Sequence, residues 1–147
     1  MATFTFFDEF AENMTGIINL NTDTFKLALT DTAPDAQNNT ALTDITQIAT
    51  GNGYTGGAGG GATLTTVAWA ETAANSGIWA FTSDDVVFTA SGGDIATHRY
   101  AVLYSDTSTT DKLIGYIDRG ASAVITNGNT RTWHPTTSGR WFTLTVP

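Results

Sequence analysis

Apolar residues near the start of the chain recur at spacings of three and four. Phe7, Phe10, Ala11 and Met14 share one side of a helical turn, with Asp8, Glu9 and Glu12 between them. Asp8 is placed to cap the first turn and Gly16 to stop the last, which predicts a short N-terminal helical segment. So short a helix must be held by tertiary packing. From Phe25 the period becomes two: Phe25, Leu27 and Leu29 fall on one face, and Lys26, Ala28 and Thr30 on the other. Pro34 and its polar neighbours then read as loop. The stretch 41–50 is ambiguous between helical spacing (Leu42, Ile45, Ile48) and an irregular edge segment.

A glycine-rich connection, 51–61, is interrupted by Tyr54. Beyond it the pattern predicts strands at 64–70, 78–82, 86–89, 99–104 and 113–118, separated by Gly, Asn, Asp and Ser turns. Thr126-Asn127-Gly128-Asn129 reads as the tight return of a hairpin joining 123–126 to 130–134, because Asn-Gly tolerates positive φ. After a break at 135–139, Phe142, Leu144 and Val146 alternate with Trp141, Thr143 and Thr145 in a closing strand. Eight to ten short strands without crossover helices predict an all-β fold. The expected form is an antiparallel two-layer β-sandwich, jelly-roll-like or another Greek key, in one domain spanning 1–147. Residues 1–16 would be its N-terminal arm or plug.

Composition sharpens this picture. Frequent Thr and 15 glycines, with only 14% charged residues, suit strands and tight turns. Fourteen acids against six Lys and Arg give a net charge of -8, which argues against nucleic acid as a partner. Cysteine is absent, which rules out disulfides and thiolate metal sites. Neither a secretory leader nor a membrane-spanning run is visible, so a soluble chain with no membrane partner is expected.

Catalytic patterns are weak throughout. His98 and His134 lack metal-ligand spacing and read as polar-face residues or as packed against Trp133. Asp84-Asp85 is a carboxylate pair, but neighbours in an extended chain point to opposite faces, which favours a turn role over glycosidase chemistry. Asp106 and Asp111 in the loop 105–112 could face calcium, yet the EF-hand spacing is missing. The glycine run 56–61 leads into Ala62-Thr63-Leu64 rather than the Lys-Ser/Thr of a phosphate loop. It reads as a flexible connection or a close backbone approach. There is no nucleophile elbow, and the Asn-x-Thr patterns at Asn13 and Asn38 carry no weight without an export signal. No enzyme, cofactor or metal is expected.

The large aromatic complement is what remains. Trp79 and Trp141 stand out of phase with apolar neighbours, so each suits a subunit contact or a sugar platform. Phe4, Phe6, Phe7 and Phe10 are too many rings for a free tail in water. The expected interface is therefore Phe4, Phe6, Phe7 and Phe10 with Trp79 or Trp141.

The run Arg99-Tyr100-Ala101-Val102-Leu103-Tyr104, the turn Ser105-Asp106-Thr107 and the run Leu113-Ile114-Gly115-Tyr116-Ile117-Asp118 resemble small structural proteins of tailed bacteriophage particles. Thr22 to Thr30 is similar to the opening strand of that group, Trp69 and Val86 to Thr89 to its middle, and Asn127 to Thr130 to its final hairpin. The glycine run 56–61 and Trp133-His134-Pro135 depart from its pattern. The resemblance implies a non-enzymatic virion protein that decorates or cements the capsid exterior, with further copies of itself and the major capsid protein as partners. A tail or neck component is the nearest variant. A carbohydrate-binding module, with a glycan on Trp79 or Trp141, is the alternative from another class.

Overall fold

The computed structural model describes residues 3–135 and 139–147. Its elements are β1 (Thr3–Phe6), α1 (Phe10–Asn13), β2 (Phe25–Thr30), β3 (Ala62–Thr63), β4 (Ala68–Glu71), β5 (Ile78–Thr82), β6 (Val86–Thr89), β7 (Ile95–Ser105), β8 (Leu113–Ile125), β9 (Thr130–Trp133) and β10 (Arg140–Thr145). One 3-10 turn, Leu42–Asp44, is fastened where Asp44 Oδ2 accepts the backbone N–H groups of Thr40 and Ala41 at 2.8 and 3.1 Å. The architecture is all-β with a short N-terminal helical segment, and its strand pairs are antiparallel. No described helix is long and apolar enough to cross a membrane.

The strands form a five-stranded sheet in the order β1-β8-β7-β2-β3, a three-stranded sheet β10-β5-β4 and a two-stranded pair β6-β9. The central sheet is built on β7 and β8, and its register puts Leu27 opposite Leu103 and Leu103 opposite Gly115. One face carries Phe25, Leu27, Leu29, Ala101 and Leu103 into the larger core, which side chains of the other two sheets complete. Phe25 meets Phe81 of β5 edge-on at 4.9 Å. The opposite face is also covered: Ala28, Val102 and Tyr104 pack with Phe7, Leu42 and Ile45. Alternation in β2 therefore separates two cores rather than core from solvent, and Ala28 and Thr30 are fully buried.

The helical segment differs from its sequence signal. Only Phe10–Asn13 is α-helical, and its N-cap is Glu9, with no side-chain cap. Asp8 instead gives its N–H to the Ala36 carbonyl. The helix ends at Asn13, whose carbonyl accepts from Ile17 and Ile18, and Gly16, three residues on, is not in the left-handed region. Residues Thr3–Phe6 take strand geometry because β8 offers them an open edge.

The predicted hairpin at Asn127-Gly128 is a correction. Gly128 takes φ +82° and the turn closes with Asn129 N donating to Thr126 O, but β9 pairs with β6. Gly128 N donates to Ala90 O, and Ala90 N to Asn129 O, so the turn hands the chain to a different sheet. Of the predicted break at 135–139, residues 136–138 lie outside the described residues.

The glycine-rich connection is fastened at three points. The Tyr54 hydroxyl accepts from Leu29 N at 3.0 Å and donates to Gln47 Oε1 at 2.8 Å. Burial pushes the Tyr54 phenol up to about 12. Tyr104 Oη donates to Gly60 O, and Lys26 Nζ to Gly59 O at 2.8 Å. Of the two readings of this run, close backbone approach is the one observed.

Candidate functional site

Antiparallel pairing of β1 with β8 sets Phe4 opposite Ile117 and Phe6 opposite Gly115. Period two sends Phe4 and Phe6 to one face and Phe7 to the other, where it joins the smaller core against Tyr116. Gly115 makes this arrangement possible: a Cβ there would fall on the Phe4 ring and within 2.7 Å of Thr5 O. One turn of helix then returns Phe10 to Phe6, with the rings stacked at 5.4 Å and 4°.

From the other end of the chain, Phe142 of β10 enters the same space. It contacts Phe4 at 5.8 Å, Phe6 at 5.1 Å and Phe10 at 5.5 Å, and on its sheet side Trp69 at 5.9 Å and Phe81 at 5.2 Å. Trp69 tilts against Trp79 at 5.9 Å. Between α1 and β10 runs an open groove of two adjoining clefts, about 360 and 460 Å³, which share Met14, Trp69 and Leu144. Its apolar lip stays in water, with Phe6 41% and Leu144 44% exposed, and Trp79, paired opposite Leu144 just outside the clefts, is 36% exposed. Asp8 is the one charged residue along its walls among the described residues.

Of the sequence-predicted interface, Phe4, Phe6 and Phe10 come together here, and Trp79 reaches the assembly through Trp69. Phe7 borders the smaller cleft but buries its ring in the core on the far side of the sheet, and Phe10 is mostly buried beneath Phe6. Trp141 is a correction. It is 0% exposed, and its Nε1–H donates to Ser83 Oγ at 2.8 Å. The register of β10 against β5 shifts between Arg140 and Phe142, and this bulge turns both Trp141 and Phe142 inward. Leu144 and Val146 share the face of Phe142 but stay exposed. Trp69, Phe142 and Leu144 fall within predicted strands, and no local signal in the sequence marks them as site residues.

The polar candidates resolve into structural roles. Asp84 Oδ2 accepts Thr66 Oγ1 at 2.5 Å, while Asp85 pairs with the exposed His134 at 3.0 Å, so the two carboxylates diverge. In the 105–112 loop, Asp106 pairs with Lys26, whose Nζ lies 3.1 Å from its Oδ2. Asp111 meets Gly59 N at 3.4 Å. Among the described residues no three His, Cys, Asp or Glu side chains are grouped to hold a metal. Arg99 holds Asp118 by two bonds of 2.7 and 2.8 Å, which keeps that carboxyl below the usual range.

His98 is fully buried beside Trp133, with ring centroids 6.2 Å apart, and its Nδ1 bonds to Ala96 O at 2.9 Å. Burial lowers its pKa from the ordinary 6.5, with the Ala96 bond opposing. The unfolded chain therefore takes up the proton first. Stability from this residue is complete above the unfolded pKa and is lost as pH falls from there toward the folded value. We expect urea midpoints to fall between about pH 7 and about pH 5. The fall should be shallower in His98→Phe; an equal slope in both proteins would assign it to other groups.

No protein-family model, curated protein or solved structure matches this chain, so the groove's geometry and chemistry are the basis on which its function is read.

Proposed function

We propose that the chain is a non-enzymatic structural protein of a tailed-bacteriophage virion, decorating or cementing the outer capsid surface. The observation that carries an assembly role is the aromatic groove, which leaves Phe6, Trp79 and Leu144 in water beside a fully formed core. Rings that are rigid and already packed from behind lose little entropy when a neighbour covers them, so such a lip is suited to a contact. In this reading the groove seats on the major capsid protein or on a further copy of the chain. Many modest contacts on a symmetric shell then add up to firm attachment. A charge of -8 suits an exterior position better than contact with packaged genome. The resemblance of the 99–118 region to phage structural proteins supplies the virion, and the fold proposed with it is a two-layer sandwich of jelly-roll or other Greek-key type.

The test uses particles purified from a lysate of a phage encoding this chain. Labelled antibody should decorate the capsid, and Phe6→Ser/Leu144→Ser protein should leave the particles while melting close to wild type. Label confined to the tail or neck would move the assignment along the virion, and its absence from particles would overturn it. Binding on a glycan array, lost in Trp79→Ala, would favour the carbohydrate-binding alternative.

A further inference from the structure

A second feature, independent of the groove, lies where the distal half of β8 meets β9. Arg131 and Trp133 stand two apart on β9 and so share a face, with Trp133 buried and Arg131 partly buried. Arg119 of β8 lays its guanidinium over the Trp133 ring, with Cζ 5.6 Å from the centroid. His98 flanks the same ring from β7. Arg131 Nη2 reaches back to Val124 O at 3.5 Å, which holds its side chain along β8.

Three N–H donors in this cluster are buried without an acceptor: Arg119 Nη1, Arg131 Nε and Trp133 Nε1. His98 Nε2 is also unpartnered. Buried donors are almost always bonded, and three left unpartnered on Arg119, Arg131 and Trp133 are unusual. Charge makes the case sharper. Lys26, Arg99 and Lys112 each lie beside a carboxylate, as expected where acids outnumber bases. Neither Arg119 nor Arg131 belongs to any ion pair among the described residues. Two arginines thus stand in a partly buried, acidic-protein setting where unsatisfied donors outnumber unsatisfied acceptors. The chemistry that would satisfy it is a compact anion with several lone pairs.

We propose that Arg119, Arg131 and Trp133 form a binding site for a small tetrahedral oxyanion, phosphate or sulfate. The guanidiniums supply charge and direction, and the indole N–H adds a neutral donor from the floor of the site. His98 forms the wall. Its Nδ1 faces the Ala96 carbonyl and so carries the proton, which leaves Nε2 able to take a hydrogen bond from a protonated oxygen of the anion.

Isothermal titration of the intact protein with sodium phosphate, sulfate and acetate, at ionic strength matched with chloride, tests the assignment. Phosphate and sulfate should bind at one site per chain and raise the melting temperature with concentration. Loss of one charge-assisted bond in Arg119→Gln or Arg131→Gln should weaken binding roughly tenfold to a hundredfold. Trp133→Phe, which keeps the ring and removes the N–H, should weaken it by a smaller factor. Failure of phosphate and sulfate to bind wild type more tightly than chloride would overturn the site and leave the donors to ordered water. Binding of acetate alone would overturn the tetrahedral assignment, and affinity unchanged in both glutamine variants would place the anion elsewhere. The wild-type arm decides the question even where a variant fails to fold, and its result is independent of whether the protein is found on particles.

Discussion

Trp141→Ala should lower stability by about 3 to 5 kcal/mol, the range for truncating a large buried aromatic side chain. Trp141 has no exposed surface, and Phe4 packs near it at 6.5 Å. Removing the indole would open a void beneath Phe4 that the neighbouring strands can close only in part. In a domain of this size the melting temperature should drop by roughly 10 °C or more. Trp141→Phe separates two contributions: it keeps most of the apolar volume but loses the Nε1–H bond to Ser83, worth about 1 kcal/mol. Chemical unfolding of both variants measures the difference. A Trp141→Ala protein as stable as wild type would mean that this side chain is not in the core.

Gly61→Ala should be comparably damaging, at about 3 to 5 kcal/mol, although it adds a single methyl group. Gly61 adopts φ +93°, and its missing Cβ would lie against the Leu27 carbonyl, 2.7 Å from the carbonyl carbon and 2.9 Å from Ala28 Cα. Those atoms belong to the backbone of β2, which is buried in the central sheet and hydrogen-bonded to β7. They cannot move aside without disturbing that ladder. Gly57 is the matched control. It also has positive φ, +89°, but a Cβ there meets nothing within 4 Å, so Gly57→Ala should cost only the conformational strain, about 1 to 2 kcal/mol. Equal melting temperatures for the two variants would show that the 56–61 run is not pressed against β2.

The contrast between those glycines was not visible in the sequence. Both sit in one run, and flexible connection and close approach are written with the same letters. The approach becomes specific through Tyr54, Tyr104 and Lys26, whose bonds to Leu29, Gly60 and Gly59 span 25, 44 and 33 residues. The candidate site divides in the same way. Four phenylalanines within the first ten residues were a legible anomaly, because apolar surface must be covered somewhere. That Phe6 would stay in water while Phe7 went to the opposite face depended on β1 pairing with β8. The Arg119–Arg131–Trp133 cluster left no trace, since it joins two strands that do not pair with each other.

Alternation along Phe25 to Leu29 and Arg99 to Tyr104, with turns at Gly, Asn and Asp, was enough to establish an all-β antiparallel chain. These signals are local: side-chain direction in a strand follows from the backbone of its own residues. The partner of each strand is a different kind of information. Asn127-Gly128 forms its turn as read, yet β9 joins β6, because the ladder is completed by residues far back along the chain, as in the pairing of Val86 with Trp133. Trp141 and Phe142 both point inward for a related reason. A bulge adds one residue to the alternation, and it forms only when β10 is laid against β5. Conformational preference is a property of neighbours in sequence, whereas register, burial on a second face and the meeting of Phe6 with Phe142 are properties of neighbours in space.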